Sequence, residues 1–175
     1  MSNQEGINRG KEFENVIRKG FEDLPDTTVE RLPDPTMGYL GVRNKCDFLI
    51  YHFPFQYYIE CKSVKDHRLP MANVTFNQRT GMLEASEKDG VIAGIICWFI
   101  HEDRTIFIPI QTFEKYRKAG ERSINLRNPW DDTFIEITGK KKRVFFEYDL
   151  AEFVNTCCKR KLAERRSKIG RKRKN

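Results

Sequence analysis

Residues Cys46 to Lys62 read CDFLIYHFPFQYYIECK, two apolar, aromatic-rich runs broken at Pro54. Runs of this composition bounded by a turn residue predict two adjacent β-strands. Charge is out of place in such a pair, yet Asp47 opens the first strand and Glu60 and Lys62 close the second. Side chains two apart on a strand share a face, so Glu60 and Lys62 are neighbours, and pairing of the strands brings Asp47 toward Glu60. Carboxylates that close repel unless a cation lies between them. Paired carboxylate oxygens suit Mg2+ or Mn2+, whose shells are completed by water and substrate phosphate. A lysine adds nothing to a cation site alone. It is intelligible where a water must be oriented and an anionic transition state stabilised, as in phosphodiester hydrolysis. The bland alternative is an exposed polar strand face, because Glu-x-Lys is a common tripeptide.

Upstream, GKEFENVIRKGFEDL spaces Phe13, Val16, Ile17, Phe21 and Leu24 as the apolar face of a helix. TVERL reads as a short strand, and Gly38 and Gly41 mark a loop. Downstream, ANVTFNQRTGMLEASEKDG predicts a helix ended by Asp89-Gly90, despite Gly81. VIAGIICWFI is suited to a central strand, TIFIPI to its hairpin partner, and QTFEKYRKAG to a short helix closed by Gly120. TFIEI and RVFFEY flank TGKKK, predicting a hairpin with a basic loop, and LAEFVNTCCKRKLAERR predicts a last helix running into the tail. This order implies an α/β fold, a sheet with helices packed on it.

A length of 175 residues fits one domain, placed at residues 1–158. Residues 159–175 hold ten Lys or Arg and one acid, Glu164, a net of +9; with +7 for the whole chain, residues 1–158 carry −2. The basicity is therefore a tail, expected to be flexible and to attract a polyanion through phosphate contacts. The five cysteines lack metal-ligand spacing and behave as small hydrophobes, which with the lack of an apolar leader suggests a cytoplasmic protein. VIAGIICWFI is too short to span a bilayer, so no membrane is expected. No Gly-Lys-Ser/Thr phosphate loop is present, so no nucleotide cofactor is expected, and His52, His67 and His101 form no zinc pattern.

The order Asp47, gap, Glu60-Cys61-Lys62, behind a helix that bears acids, resembles the PD-(D/E)XK nuclease superfamily. More narrowly, GKEFENVI, the Asp-to-Glu gap, the Glu-Cys-Lys strand and FNQRTGMLEASEKDGVIAGIICWF resemble the RecU-like Holliday junction resolvases, over roughly Gly10 to Ile110. Cys46 stands in place of the Pro in the superfamily's name, and Lys45 where the RecU-like pattern has a hydroxyl. The resemblance implies a restriction-endonuclease-like core of helix, three strands, helix and strand, here with an additional C-terminal hairpin and helix. It implies a divalent-metal-dependent endonuclease that cuts four-way DNA junctions in recombination and repair, acting as a homodimer because a junction needs two symmetric cuts. It implies Asp47 and Glu60 as ligands of Mg2+, with Mn2+ substituting, Glu14 as a further ligand, and Lys62 as the catalytic lysine. Gln78 matches a catalytic amide that orients the water or the lysine; a plain polar residue at a helix start is its other reading. Lys65, Arg68 and Arg79 lie close in sequence to these groups and are the expected phosphate contacts, joined by Lys11, Lys140, Lys141, Lys142 and Arg143. Two alternatives stay open: a restriction or repair nuclease of the same superfamily, and a non-catalytic DNA-binding accessory protein of recombination.

Overall fold

The computed structural model describes residues 9–33, 44–143 and 146–172, with side chains to Ser167. The chain runs α1 (Arg9–Glu22), β1 (Thr27–Arg31), β2 (Phe48–His52), β3 (Phe55–Val64), β4 (Arg68–Pro70), α2 (Phe76–Ser86), β5 (Val91–Phe99), β6 (Arg104–Pro109) and α3 (Ile110–Lys118). It continues through β7 (Ser123–Asn125), β8 (Ile135–Glu136), β9 (Gly139–Lys141), β10 (Phe146–Tyr148) and α4 (Leu150–Lys172). Six strands form a central mixed sheet in the order β1-β2-β3-β5-β6-β8. All its pairs are antiparallel except β3 with β5. A parallel pair needs a crossover, and α2 supplies it.

The period of β3 sets the layers. Phe55, Tyr57, Ile59 and Cys61 face α1 and α4, packing with Phe13, Ile17, Phe21, Leu150 and Phe153. Ala93, Ile95, Cys97 and Phe99 of β5 face the other way, with Met82 of α2 and Ile110 and Phe113 of α3. Each such side chain contributes about 1.5–3 kcal/mol on burial, so both faces of the sheet are anchored. Glu60 and Lys62 have the parity of the second face, beneath α2. The close approach of β5 and β6 explains Gly94, where a Cβ would lie 2.4 Å from the Ile108 carbonyl oxygen.

Three readings change. The short ribbon β4–β7 has no counterpart in the sequence reading. Among the described residues, TFIEI does not form the expected hairpin with RVFFEY. Phe134, Ile135 and Ile137 are buried, so β8 joins the sheet edge against β6, and the lysine segment itself becomes β9, paired with β10. Residues 159–172 continue α4. Arg160 fastens it by donating to the carbonyls of Thr133 and Phe134 at 2.7 and 3.2 Å, and Arg165 pairs with Asp89 at 2.7 Å. The Gly38 and Gly41 loop lies outside the described residues. Among the described residues no helix is long and apolar enough to cross a membrane.

Candidate active site

β2 and β3 pair from His52↔Phe55 at their turn to Phe48↔Ile59, and the register carried one residue further sets Asp47 opposite Glu60. Backbone holds Asp47 there: its N–H donates to the Ile59 carbonyl at 3.1 Å and its carbonyl accepts from the Leu32 N–H at 2.9 Å. Its carboxylate accepts from the Cys61 N–H at 2.8 Å, which aims it at the peptide between Glu60 and Lys62.

Glu60 is fully buried. Its Oε1 accepts both the Lys62 ammonium and the Gln78 amide, each at 2.6 Å, while its buried Oε2 has no hydrogen-bond partner among the described residues. An orphaned buried carboxylate oxygen is costly and calls for a ligand. Burial, then the charge of Asp47, push the Glu60 carboxyl up to about 7 against the pull of Lys62. Lys62 is depressed by its own burial, but the Glu60 and Asp47 charges outweigh that and leave it above the ordinary lysine value. About a quarter of its side chain reaches solvent, against one hundredth of Glu60's, so the lysine stands at the mouth and the carboxylate behind it.

Gln78 stands at the start of α2, and its amide also reaches Glu60. Thr75 caps α2 by accepting the Gln78 N–H at 3.3 Å, and the Gln78 Oε1 accepts the Thr75 N–H at 2.9 Å, a reciprocal capping box. That bond commits the amide oxygen, so the NH2 end turns to Glu60. Thr75-x-x-Gln78 is a capping signature legible in the sequence, and Thr75 is the positioning residue that sequence reasoning passed over.

Glu14 does not complete the carboxylate set. It sits on α1, which packs on the other face of the sheet, and Arg31 of β1 donates to it at 3.2 Å; its charge only adds a small upward push on Glu60. Among the described residues, no three His, Cys, Asp or Glu side chains are grouped to hold a metal ion. The fit to a cation therefore rests on two carboxylates and the orphaned Oε2, a donor number that suits Mg2+, which keeps several waters. Lys45 lies clear of these oxygens. Its stem crosses Gly81 and its ammonium is 4.0 Å from Glu84.

The expected phosphate contacts divide. Lys65 and Arg68 are exposed where the chain leaves β3. Arg79 is not available: its guanidinium lies over the Phe76 ring at 5.3 Å and pairs at 3.1 Å with Glu114, whose side chain is one-tenth exposed. Arg117 first, with Arg79, holds that carboxyl down to about 2. Lys141 pairs with Asp103, and Lys142 with Glu147 at 2.7 Å. Lys11, Lys140 and Arg143 are exposed.

No family model matches this chain, and comparison with curated proteins finds no match. Among solved structures, one that is similar is the 1.6 Å structure of Archaeoglobus fulgidus Hjc, a Holliday junction resolvase from an archaeal hyperthermophile. The TM-score is 0.44 and the identity 17%, with 58% of this chain and 78% of that one covered. A likeness of this degree carries no functional argument, which rests instead on the geometry above.

Proposed function

We propose that the chain is a divalent-metal-dependent endonuclease that hydrolyses DNA phosphodiester bonds, with the four-way junction as its substrate and a homodimer as its working form. One observation carries the nuclease reading: the fully buried Glu60 faces Asp47 and shares one oxygen between an ammonium and an amide, while its other oxygen has no hydrogen-bond partner among the described residues. Asp47 and Glu60 would hold Mg2+ or Mn2+, which when bound would neutralise the carboxylates and polarise a phosphate oxygen. Lys62 keeps its proton at Nζ and, from the mouth of the site, orients a water or meets the charge that develops on the phosphate. Gln78 fixes Glu60 through Oε1 and is itself fixed by the Thr75 cap. Glu60 and Lys62 stand on β3, Gln78 on α2 and Asp47 immediately before β2, which suits chemistry that depends on fixed geometry. The junction and the dimer rest on the RecU-like sequence pattern.

The test is cleavage of a labelled four-way junction and of a matched linear duplex, each with Mg2+ and then with EDTA. Mg2+-dependent cutting that favours the junction is the expected result. Equal cutting of both would remove the junction preference alone. Binding without any cutting would remove the enzyme.

A further inference from the structure

We infer that the ribbon β4–β7 is the surface on which the phosphate backbone of duplex DNA docks, an inference that rests on the nuclease reading and adds the strand path to it. The chain leaves the site at Lys62 and returns to it at Gln78, and β4 lies in the excursion between them. β7 joins it from a distant part of the sequence. Backbone bonds from Leu126 N–H to the His67 carbonyl and from Met71 N–H to the Arg122 carbonyl extend the pairing to five residues a side. At about 3.4 Å per residue the ribbon is about 17 Å long. Leu69 and Ile124 are buried beneath it, which fixes it to the domain and turns Arg68 outward.

Four cations mark this surface. Lys65 is at the bend after β3, Arg68 on β4, Arg122 just before β7, and Arg127 in the turn after it, where Asn125 Oδ1 accepts its N–H at 3.0 Å. All four are exposed, and the described residues offer none of them an ion-pair partner. Elsewhere Arg79, Arg104, Arg117, Lys141, Lys142 and Arg165 are each engaged by an acid. The ribbon's own acids stand at its ends: Glu121 beside Arg122, and Asp66, which lies 3.4 Å from His101. A groove of about 610 Å3 lined by Ser63, Lys65, Asp66, His67, Arg68 and Asn73 runs from the β3 end along β4. Phosphates follow one another at about 3.4 Å of rise per strand, so a ribbon of about 17 Å spans about five of them.

The experiment measures binding of the full chain to a labelled linear duplex, in EDTA, over about 50 to 200 mM KCl. Each lost phosphate contact lowers the salt slope by about 0.9. Arg68→Gln/Arg127→Gln should therefore make the slope shallower by about two and weaken binding roughly 10- to 100-fold near 0.1 M salt. Arg68→Lys/Arg127→Lys should keep the wild-type slope. Arg18→Gln, a control on α1 that removes a cation paired with Glu22, should change neither. A Gln double variant with unaltered slope and affinity, while the wild type binds DNA, would overturn the ribbon and leave the nuclease standing. A wild type that binds a four-way junction but not this duplex would overturn the ribbon alone, and one that binds neither would overturn both.

Discussion

Replacement of Glu60 by Gln keeps the shape of the side chain and removes its ionisation, and the consequence for stability is set by burial. The wild-type carboxyl titrates at about 7 in the fold, against an ordinary value of 4.5. Between those values the folded chain binds more protons than the unfolded one, so stability falls as pH rises through this window. Integration from pH 5 to pH 8 gives a loss of about 2.5 kcal/mol in the wild type that Glu60→Gln does not suffer. Lys62 titrates above this range in both states and does not contribute to the difference. For a chain of this size the difference amounts to about 5–10 °C in Tm. The assay is thermal unfolding of both proteins in EDTA at pH 5 and pH 8. The gap between them should move in favour of Glu60→Gln by that amount, whatever its sign at pH 5, so an unsatisfied amide in the variant cannot mimic it. Mg2+ at about a hundredfold above its Kd should then restore about 2.7 kcal/mol to the wild type at pH 8 and far less to the variant. Parallel pH profiles for the two proteins would refute the buried, raised carboxylate, and with it the reason for a cation.

Thr75→Ala should cost about 1 kcal/mol of stability by removing the cap and slow cleavage less than Gln78→Ala does, because the Thr75 backbone N–H still holds the Gln78 amide oxygen. Gln78→Ala should cost a similar amount and lower kcat by about tenfold or more, a split read by denaturation and single-turnover cleavage. Gly81→Ala, ordinarily worth about 1 kcal/mol in a helix, should instead destabilise by about 1–3 kcal/mol, because its Cβ would lie 2.5 Å from Lys45 Cγ. Lys45→Ala in the same chain should recover part of the loss, because it removes the Cγ and Cδ contacts and leaves the Lys45 Cβ at 2.9 Å, as a double-mutant cycle in urea would show. Glu114→Gln should cost about 1–2 kcal/mol near neutral pH once solvent screening is allowed for. A lowered carboxyl stabilises above about 4.5 and loses that contribution as pH falls toward 2, so the two proteins should converge in acid denaturation.

The central pair was legible because strand period and a turn residue act over short range: Pro54 places the turn, and the register that follows sets Asp47 against Glu60. The helix at Phe76 was legible from its ends, and the Thr75-x-x-Gln78 cap could have been read as well. What escaped was decided at long range. Whether a helical acid reaches a strand depends on which face of the sheet the helix covers, and α1 covers the face away from Gln78, so Glu14 meets Arg31 instead. Arg79 looked free because its partner, Glu114, is thirty-five residues away. β4 and β7 are three residues each and pair across more than fifty residues, too short for periodicity to register. TFIEI has strand composition, but only the exposed edge of β6 decides that it pairs there rather than with RVFFEY.

The same excursion of chain explains why the site is rigid although one of its groups comes from a helix. Residues 65–74 are tied at three points: to β7 by the ribbon, to the core through the buried Leu69 and Val74, and to α2 through the Thr75 cap. Each tie removes freedom from the segment that delivers Gln78, so the amide reaches Glu60 with little conformational entropy left to lose. Lys45 acts from the opposite side, its stem seated over Gly81, where any larger residue would lift the helix from β3 and lengthen the Gln78 contact. The lysine at this position is thus matched by a glycine in the facing helix. It sets the height of α2 above the carboxylates, and its charge is directed to Glu84 rather than to them.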